Sequence, residues 1–315
     1  MMYTINGIEL STYGIIPTQA VGSNLALEGF LSMPDRINKT EHSWGDSNGV
    51  EPYVSADELF WGGRNLTFYG IVKAASRDAA NDALLEFYAM LDGLTDLTTL
   101  ACDWGSWEVF VSGQIDVTYQ GSGVCQLRIP FRQPMVDLTG GVIPSSPDFS
   151  SVEGIDGVNF QALGFTLARF QDMGIGASRI IGDLNRPAPK SQVSIGYHTE
   201  AFQVTKVDAR ELQLKGVIEA ITYAALLATV KNLYALFAQP GTRILYVPED
   251  RIRIVFMKSG FSISQIMGGS RWVAVLDISL TESGEYAGNE TYLLLGDTVG
   301  NYVTTTVGQK ILIKI

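Results

Sequence analysis

Histidine is scarce in this sequence, with two in 315 residues, and cysteine is equally rare. Catalysis in water usually rests on a tuned base, a nucleophile or a metal, and imidazole serves all three. His42 and His198 each sit in a polar, turn-rich segment without H-x-x-x-H, C-x-x-C or H-x-D spacing, so both read as solvated loop residues and no metal site is expected. Cys102 and Cys125 are too few for a disulfide framework, which leaves a reducing compartment as the default. Positive charge is short as well: 22 Lys and Arg face 33 Asp and Glu, for a net charge of −11. Without a Lys/Arg cluster to neutralise phosphates, a nucleic-acid-coating surface is excluded. The most apolar window, Ile221–Ala238, is broken by Lys231 and Asn232 and has helical spacing, so it reads as a core-facing helix and no membrane insertion is expected. The opening Met-Met-Tyr-Thr-Ile-Asn-Gly lacks a basic region followed by an apolar core, so cytoplasmic synthesis is expected and the sequons at Asn38, Asn65 and Asn289 carry no meaning.

Phosphate-binding and nucleophile motifs are missing too. There is no G-x-S-x-G elbow, no G-x-x-x-x-G-K-[S/T] loop and no strand-linked G-x-G-x-x-G, and the Gly pairs beginning at Gly62, Gly140 and Gly268 read as turns or linkers. The nearest approach to a glycosidase pair is Asp103 and Glu108 around Trp104 and Trp107, since such enzymes set two carboxylates beside sugar-stacking aromatics. The aligned positions later in the chain are Glu249 and Ile254, so only one carboxylate recurs. The chain is therefore expected not to be an enzyme, with no catalytic residue and no cofactor. A carbohydrate- or receptor-binding β-sandwich stands as an alternative, in which Trp44, Trp61, Trp104 and Trp107 would line one groove.

What is present is apolar content and glycine: 46% hydrophobic residues, 17% charged and 33 glycines. That composition excludes disorder and implies many turns, and the length suits two domains. The chain also contains itself twice. Arg64-Asn-Leu-Thr-Phe-Tyr-Gly-Ile-Val-Lys-Ala74 lies over Arg210-Glu-Leu-Gln-Leu-Lys-Gly-Val-Ile-Glu-Ala220, and without a gap the match runs on to Phe110 over Phe256, nine identities in 47 positions. The beginnings match at another offset, Gly7-Ile-Glu-Leu10 over Gly164-Phe-Thr-Leu167, which puts a longer loop in the first copy, in the carboxylate- and turn-rich stretch Glu41–Pro52. The copies differ in charge: residues 1–145 hold 7 basic and 17 acidic side chains, residues 146–315 hold 15 and 16.

Within each copy the periodicity predicts strands, one helix and a strand meander. Leu66, Phe68, Gly70 and Val72 alternate along a strand. Ser76 caps a helix carrying Ala80, Leu84, Phe87 and Leu91, and Thr222 caps its counterpart carrying Leu226, Val230, Leu233 and Phe237. Strands follow at Leu97–Ala101, Trp107–Tyr119 and Val124–Phe131, and at Ile244–Val247, Arg251–Met257 and Trp272–Leu280; Tyr292–Leu295 and Lys310–Ile315 read as two more. The expected organisation is mainly β (α+β): a first domain over 1–137, a Pro/Gly/Ser linker over 138–157, a second domain over 158–285 and a β extension over 286–315.

The opening Ile5-Asn-Gly-Ile-Glu-Leu10, followed by a strand, one helix and a strand meander, resembles the N-terminal domain of siphophage distal tail proteins, which shares its fold with phage tail-tube proteins. The resemblance covers residues 3–133 and again 160–282. It implies two tandem tail-tube-like β-sandwich domains, each with one packed helix, in a virion structural protein of the tail tip. The implied partners are its own copies in a hexameric or trimeric ring, the tail tube protein, a hub or tip protein and the tape measure protein, with genome DNA only in transit. By the same analogy, Trp107–Tyr119, Arg251–Ser264 and their partner strands would line the channel, and the helices Arg77–Leu91 and Thr222–Phe237 would pack outside or between subunits. A tandem tube-like unit departs from the usual distal tail protein and allows a hub-like or tail-tube-like trimer of pseudo-hexameric form.

Overall fold

The computed structural model of the chain describes residues 2–45, 47–144, 153–168, 180–182, 184–190, 206–246 and 253–283, with the backbone of 292–294 and 312–314. These residues are mainly β, in two curled antiparallel sheets with two α-helices, as the sequence implies.

The first unit runs β1 (Tyr3–Ile5), β2 (Ile8–Glu9), a 3₁₀ turn, β3 (Ile15–Pro17), β4 (Leu27–Glu28), β5 (Arg36–Ile37), β6 (Glu41–His42), β7 (Glu51–Pro52), β8 (Phe60–Trp61), β9 (Arg64–Lys73), α1 (Arg77–Asp92), β10 (Thr98–Cys102), β11 (Gly105–Val111), β12 (Asp116–Tyr119) and β13 (Val124–Gln133). The second has β14 (Gly154–Ile155), β15 (Val158–Asn159), β16 (Phe165–Leu167), β17 (Ile180–Ile181), β18 (Glu211–Ala220), α2 (Tyr223–Phe237), β19 (Arg243–Tyr246), β20 (Arg253–Phe256), β21 (Ser262–Met267) and β22 (Trp272–Glu282). Beyond it, β23 (Tyr292–Leu294) pairs with β24 (Leu312–Lys314), so the two tail strands pair with each other.

The sheets share one strand order. The first reads β2-β1-β10-β11-β13-β9-β3, with β12 also on β13 and β4 also on β9; the second reads β15-β14-β19-β20-β22-β18-β16, with β21 on β22 and β17 on β18. Registers coincide as well, since Gly70 faces Leu127 and Gly216 faces Leu276. Alternation decides which face is buried: Leu66, Phe68 and Val72 of β9 and Leu127, Ile129 and Phe131 of β13 point inward against Phe87 of α1. Replacing a fully buried ring such as Phe87 with alanine costs about 3–5 kcal/mol. Both helices start where the sequence places their caps, with Ser76 Oγ accepting from Ala79 N and Thr222 Oγ1 from Ala225 N, each at 3.2 Å.

Two expectations are corrected. The second sheet begins inside the stretch read as linker: Asp156 and Gly157, at φ 50° and 76°, turn β14 into β15 just as Asn6 and Gly7, at 49° and 77°, turn β1 into β2. Asn6 Oδ1 accepts from Thr99 N and Asp156 Oδ1 from Ile244 N, which ties each turn to the next strand of its sheet. Gly7 thus corresponds to Gly157, and Gly164 to Gly14; both of the latter sit at positive φ entering β3 and β16. The second correction concerns Trp107–Tyr119 and Arg251–Ser264, each read as one long strand. Each is interrupted, at 112–115 and at 257–261. Opposite the first break, Pro130 has no N–H to offer and only accepts, from Ser112 N at 3.0 Å.

Candidate functional site: the joint between the two units

The two units meet through different faces. Strand β21 has one edge on β22, and a strand edge left open invites pairing. The segment between β3 and β5 of the first unit covers that edge. Asn24 N and Ser23 Oγ donate to Ile266 O at 3.1 and 2.7 Å, and Asn24 Oδ1 accepts from Gly268 N at 2.7 Å. Further along, Ser32 Oγ accepts from Ile263 N at 3.0 Å and Met33 N donates to Phe261 O at 2.9 Å. The approach is close enough that a Cβ on Gly260 would sit 2.1 Å from Met33 O, so only glycine fits there.

Side chains lock this contact. Tyr234 of α2 donates its hydroxyl to Leu31 O at 2.6 Å and accepts from Arg64 Nη1 at 2.9 Å. Arg64 is itself fixed by Gln133 Oε1 and Ser32 O at 2.8 and 3.1 Å. Burial pulls the Arg64 pKa down and pushes the Tyr234 pKa up. Arg36, also buried, donates across the joint to Met257 O at 3.2 Å and within its own unit to Tyr53 O. Trp104, at the tip of the β10–β11 hairpin, packs on Trp272 and Tyr223 with ring centroids 4.6 and 5.2 Å away. Lys258 bridges Glu41 and Glu211 at 2.8 and 2.7 Å; burial pulls its pKa down, but the two carboxylates outweigh this and raise it.

Of the described residues singled out in the sequence, Trp104 belongs to this joint, and the others lie elsewhere in the first unit or, for Ile254, in β20. Asp103 and Glu108 are both exposed, and Glu108 Oε1 accepts from Thr99 Oγ1 at 2.6 Å across the hairpin. Trp107 is buried against Phe30 and Trp104 belongs to the joint, while Trp44 is 50% exposed beside His42, so the four tryptophans do not line one groove. His42 Nδ1 accepts from Lys39 Nζ at 2.7 Å. Ile254 is buried in β20; His198 and Glu249 lie outside the described residues. Cys102 and Cys125 are free thiols, both pushed up in pKa by burial. Among the described residues no group of three or more His, Cys, Asp or Glu is arranged to hold a metal, and no helix is long and apolar enough to cross a membrane.

The sheet faces turned away from the core mix polar side chains with half-buried apolar ones, Ile71 on the first and Val217, Val273 and Val275 on the second. On the first, Asp116, Arg128 and Tyr69 lie in one cross-strand row, with Arg128 over the Tyr69 ring; the matching row on the second is Ser262, Asp277 and Lys215. Each row carries one acid and one base, so neither face is strongly charged there. The joint residues were missed by sequence reading because Tyr234, Phe261 and Arg36 look like ordinary core or surface positions; the signal available was Gly260 beside Phe261 in an otherwise strand-like run. No family model, no curated protein and no solved structure matches the chain.

Proposed function

We propose that the chain is a non-enzymatic structural component of a bacteriophage tail tip, a distal-tail or baseplate ring protein whose copies close a channel between tail tube and tip. The observation that carries this reading is the repetition of one unit, a curled antiparallel sheet with its helix on one face and, on the other, a cross-strand row that carries one acid and one base. A conduit wall for DNA in transit needs that kind of face, because a strongly basic surface would hold the phosphates. In this reading the polar rows of β9, β12 and β13 and of β18, β21 and β22 face the lumen. The tail tube protein lies on one side of the ring and a hub or tip protein on the other, and the tape measure protein passes through.

The head-to-tail joint favours the trimeric variant of this reading, in which each chain supplies two of six ring positions. Heterologous contacts of this type close into rings when the rotation between neighbours divides a full turn. Cryo-electron microscopy of the concentrated protein tests the function directly. Rings with a central pore lined by these sheet faces are expected. Assemblies without a pore, or with the helices inward, overturn it.

A further inference from the structure

The joint has two halves, and each unit carries the counterpart of the half it does not use within the chain. On the second unit, Tyr234, Phe237, Phe256, Met257 and Phe261 are all buried, and the space among Arg36, Val54, Phe237, Phe256 and Met257 amounts to only about 10 Å3. The corresponding residues of the first unit are Tyr88, Leu91, Phe110, Val111 and Ile115. They line an open groove of about 660 Å3, and Phe110 is 43% exposed where Phe256 is 1% exposed.

The inserted half is duplicated too. Leu27 pairs with Phe68 and Ile180 with Leu214 at the same register, so Gly29-Phe-Leu-Ser-Met-Pro34 corresponds to Gly182-Asp-Leu-Asn-Arg-Pro187. Gly29 and Gly182 share positive φ, at 80° and 91°, and in each a Cβ would strike the carbonyl of the matching residue, Asn65 or Glu211. The bridge Pro189–Val207 repeats the pair Arg36–Trp61. Leu31 is 2% exposed, whereas Leu184 is 81% exposed. The arginine that steadies the segment recurs: Arg64 donates to Ser32 O and to Gln133, and Arg210 donates to Asn185 O and to Glu282.

We infer that the groove between α1 and the β11–β12 break is an interface that takes the Leu184–Pro187 segment of a second copy of this chain, repeating between molecules the joint made within one. Leu184 enters beside Phe110 as Leu31 sits beside α2, and the Tyr88 hydroxyl meets Leu184 O and Arg210 as Tyr234 meets Leu31 O and Arg64. Charge fits the pairing, since Asp92 and Asp96 line the groove and Arg186 replaces Met33 on the segment. The contact is not identical atom for atom: Gln114 stands where Gly260 admits Met33 O, with Gly113 beside it. Because the inserted half and the receiving half lie on different units, copies join head to tail, whatever the assembly is for.

Two experiments test the interface. Leu184→Cys chains and Phe110→Cys chains, mixed and oxidised, should give a disulfide-linked dimer that neither population gives alone; the double variant should give a ladder of higher species. An equal yield when Leu184→Cys is mixed with Leu85→Cys would overturn the site, because exposed Leu85 lies outside the groove. In sedimentation, Leu184→Asp should weaken self-association tenfold or more relative to the wild type, and Met135→Asp, at a position 74% exposed, should not. Unchanged association of Leu184→Asp, or a wild-type chain that stays monomeric up to its solubility limit, overturns the inference. The tail-tip reading is separable: head-to-tail linkage through Leu184 in an assembly without a pore keeps the interface and removes the channel, and a pored ring insensitive to Leu184→Asp does the reverse.

Discussion

Phe110 and Phe256 occupy the same place on equivalent strands, followed by the same break, yet one ring is largely open and the other is sealed. Tyr88 and Tyr234 repeat the contrast on the two helices: Tyr234 is buried and bonded to Leu31 O and Arg64, while Tyr88 borders an open groove. The units therefore differ less in what they are made of than in which of their faces is covered. Where the covering is the same, the chemistry has drifted: in the first unit Trp107 packs on Phe30 and Gln133 accepts from Arg64, and Arg253 and Glu282, a buried ion pair at 3.2 Å, stand at those positions in the second. An interior position tolerates either solution as long as its polar groups are satisfied, whereas an interface must keep its shape.

The comparison can be broken most sharply with matched substitutions. Phe256→Ala should lower the unfolding free energy by about 3–5 kcal/mol, and Phe110→Ala by about 0.5 kcal/mol or less in the monomer, read from urea midpoints at constant m-value. Gly260→Ala should cost about 1–3 kcal/mol by forcing Met33 away. Gly113→Ala should be tolerated, since its added Cβ would meet only Pro130 Cγ at 3.6 Å. Tyr234→Phe leaves Leu31 O without its hydroxyl donor and takes from Arg64 one of its three acceptors, and should cost about 1–3 kcal/mol, against almost nothing for Tyr88→Phe. The helix caps sharpen the comparison from the other side, because they are the same in both units: Ser76→Ala and Thr222→Ala should each cost about 1 kcal/mol.

The smallest expected effect is on pH. Burial raises the pKa of Tyr3, Tyr223 and Tyr234, so the folded chain holds these phenol protons more tightly than the unfolded chain does. Their contribution is complete below the ordinary tyrosine value, about 10, and is lost as pH rises through the folded values. Two of the three lie at the joint, so alkaline unfolding followed by tyrosinate absorbance should begin there; Tyr223→Phe should blunt the absorbance change while leaving the neutral-pH melt nearly unaltered.

Several elements could be read without coordinates because their signals are local. Alternation of Leu66, Phe68 and Val72 with Thr67, Tyr69 and Ile71 specifies a strand partly buried on both faces, and Ser76 and Thr222 fix helix starts through a bond three residues away. The duplication was legible as well, yet the start of the second copy was misread. Ile155-Asp-Gly-Val158 repeats Ile5-Asn-Gly-Ile8, but asparagine and aspartate count as a match only when the left-handed turn they share is in view.

The amino-acid order by itself determined both helices, most of the strands, the repetition of the unit and the scarcity of histidine and cysteine, since each is set by composition or by the pattern of residue types along the chain. Tertiary structure alone decided which copy of each face is covered. Leu31 and Leu184 carry the same side chain after equivalent glycines, and only the path of the chain across β21, set by backbone bonds between residues more than 200 positions apart, buries one and leaves the other in solvent.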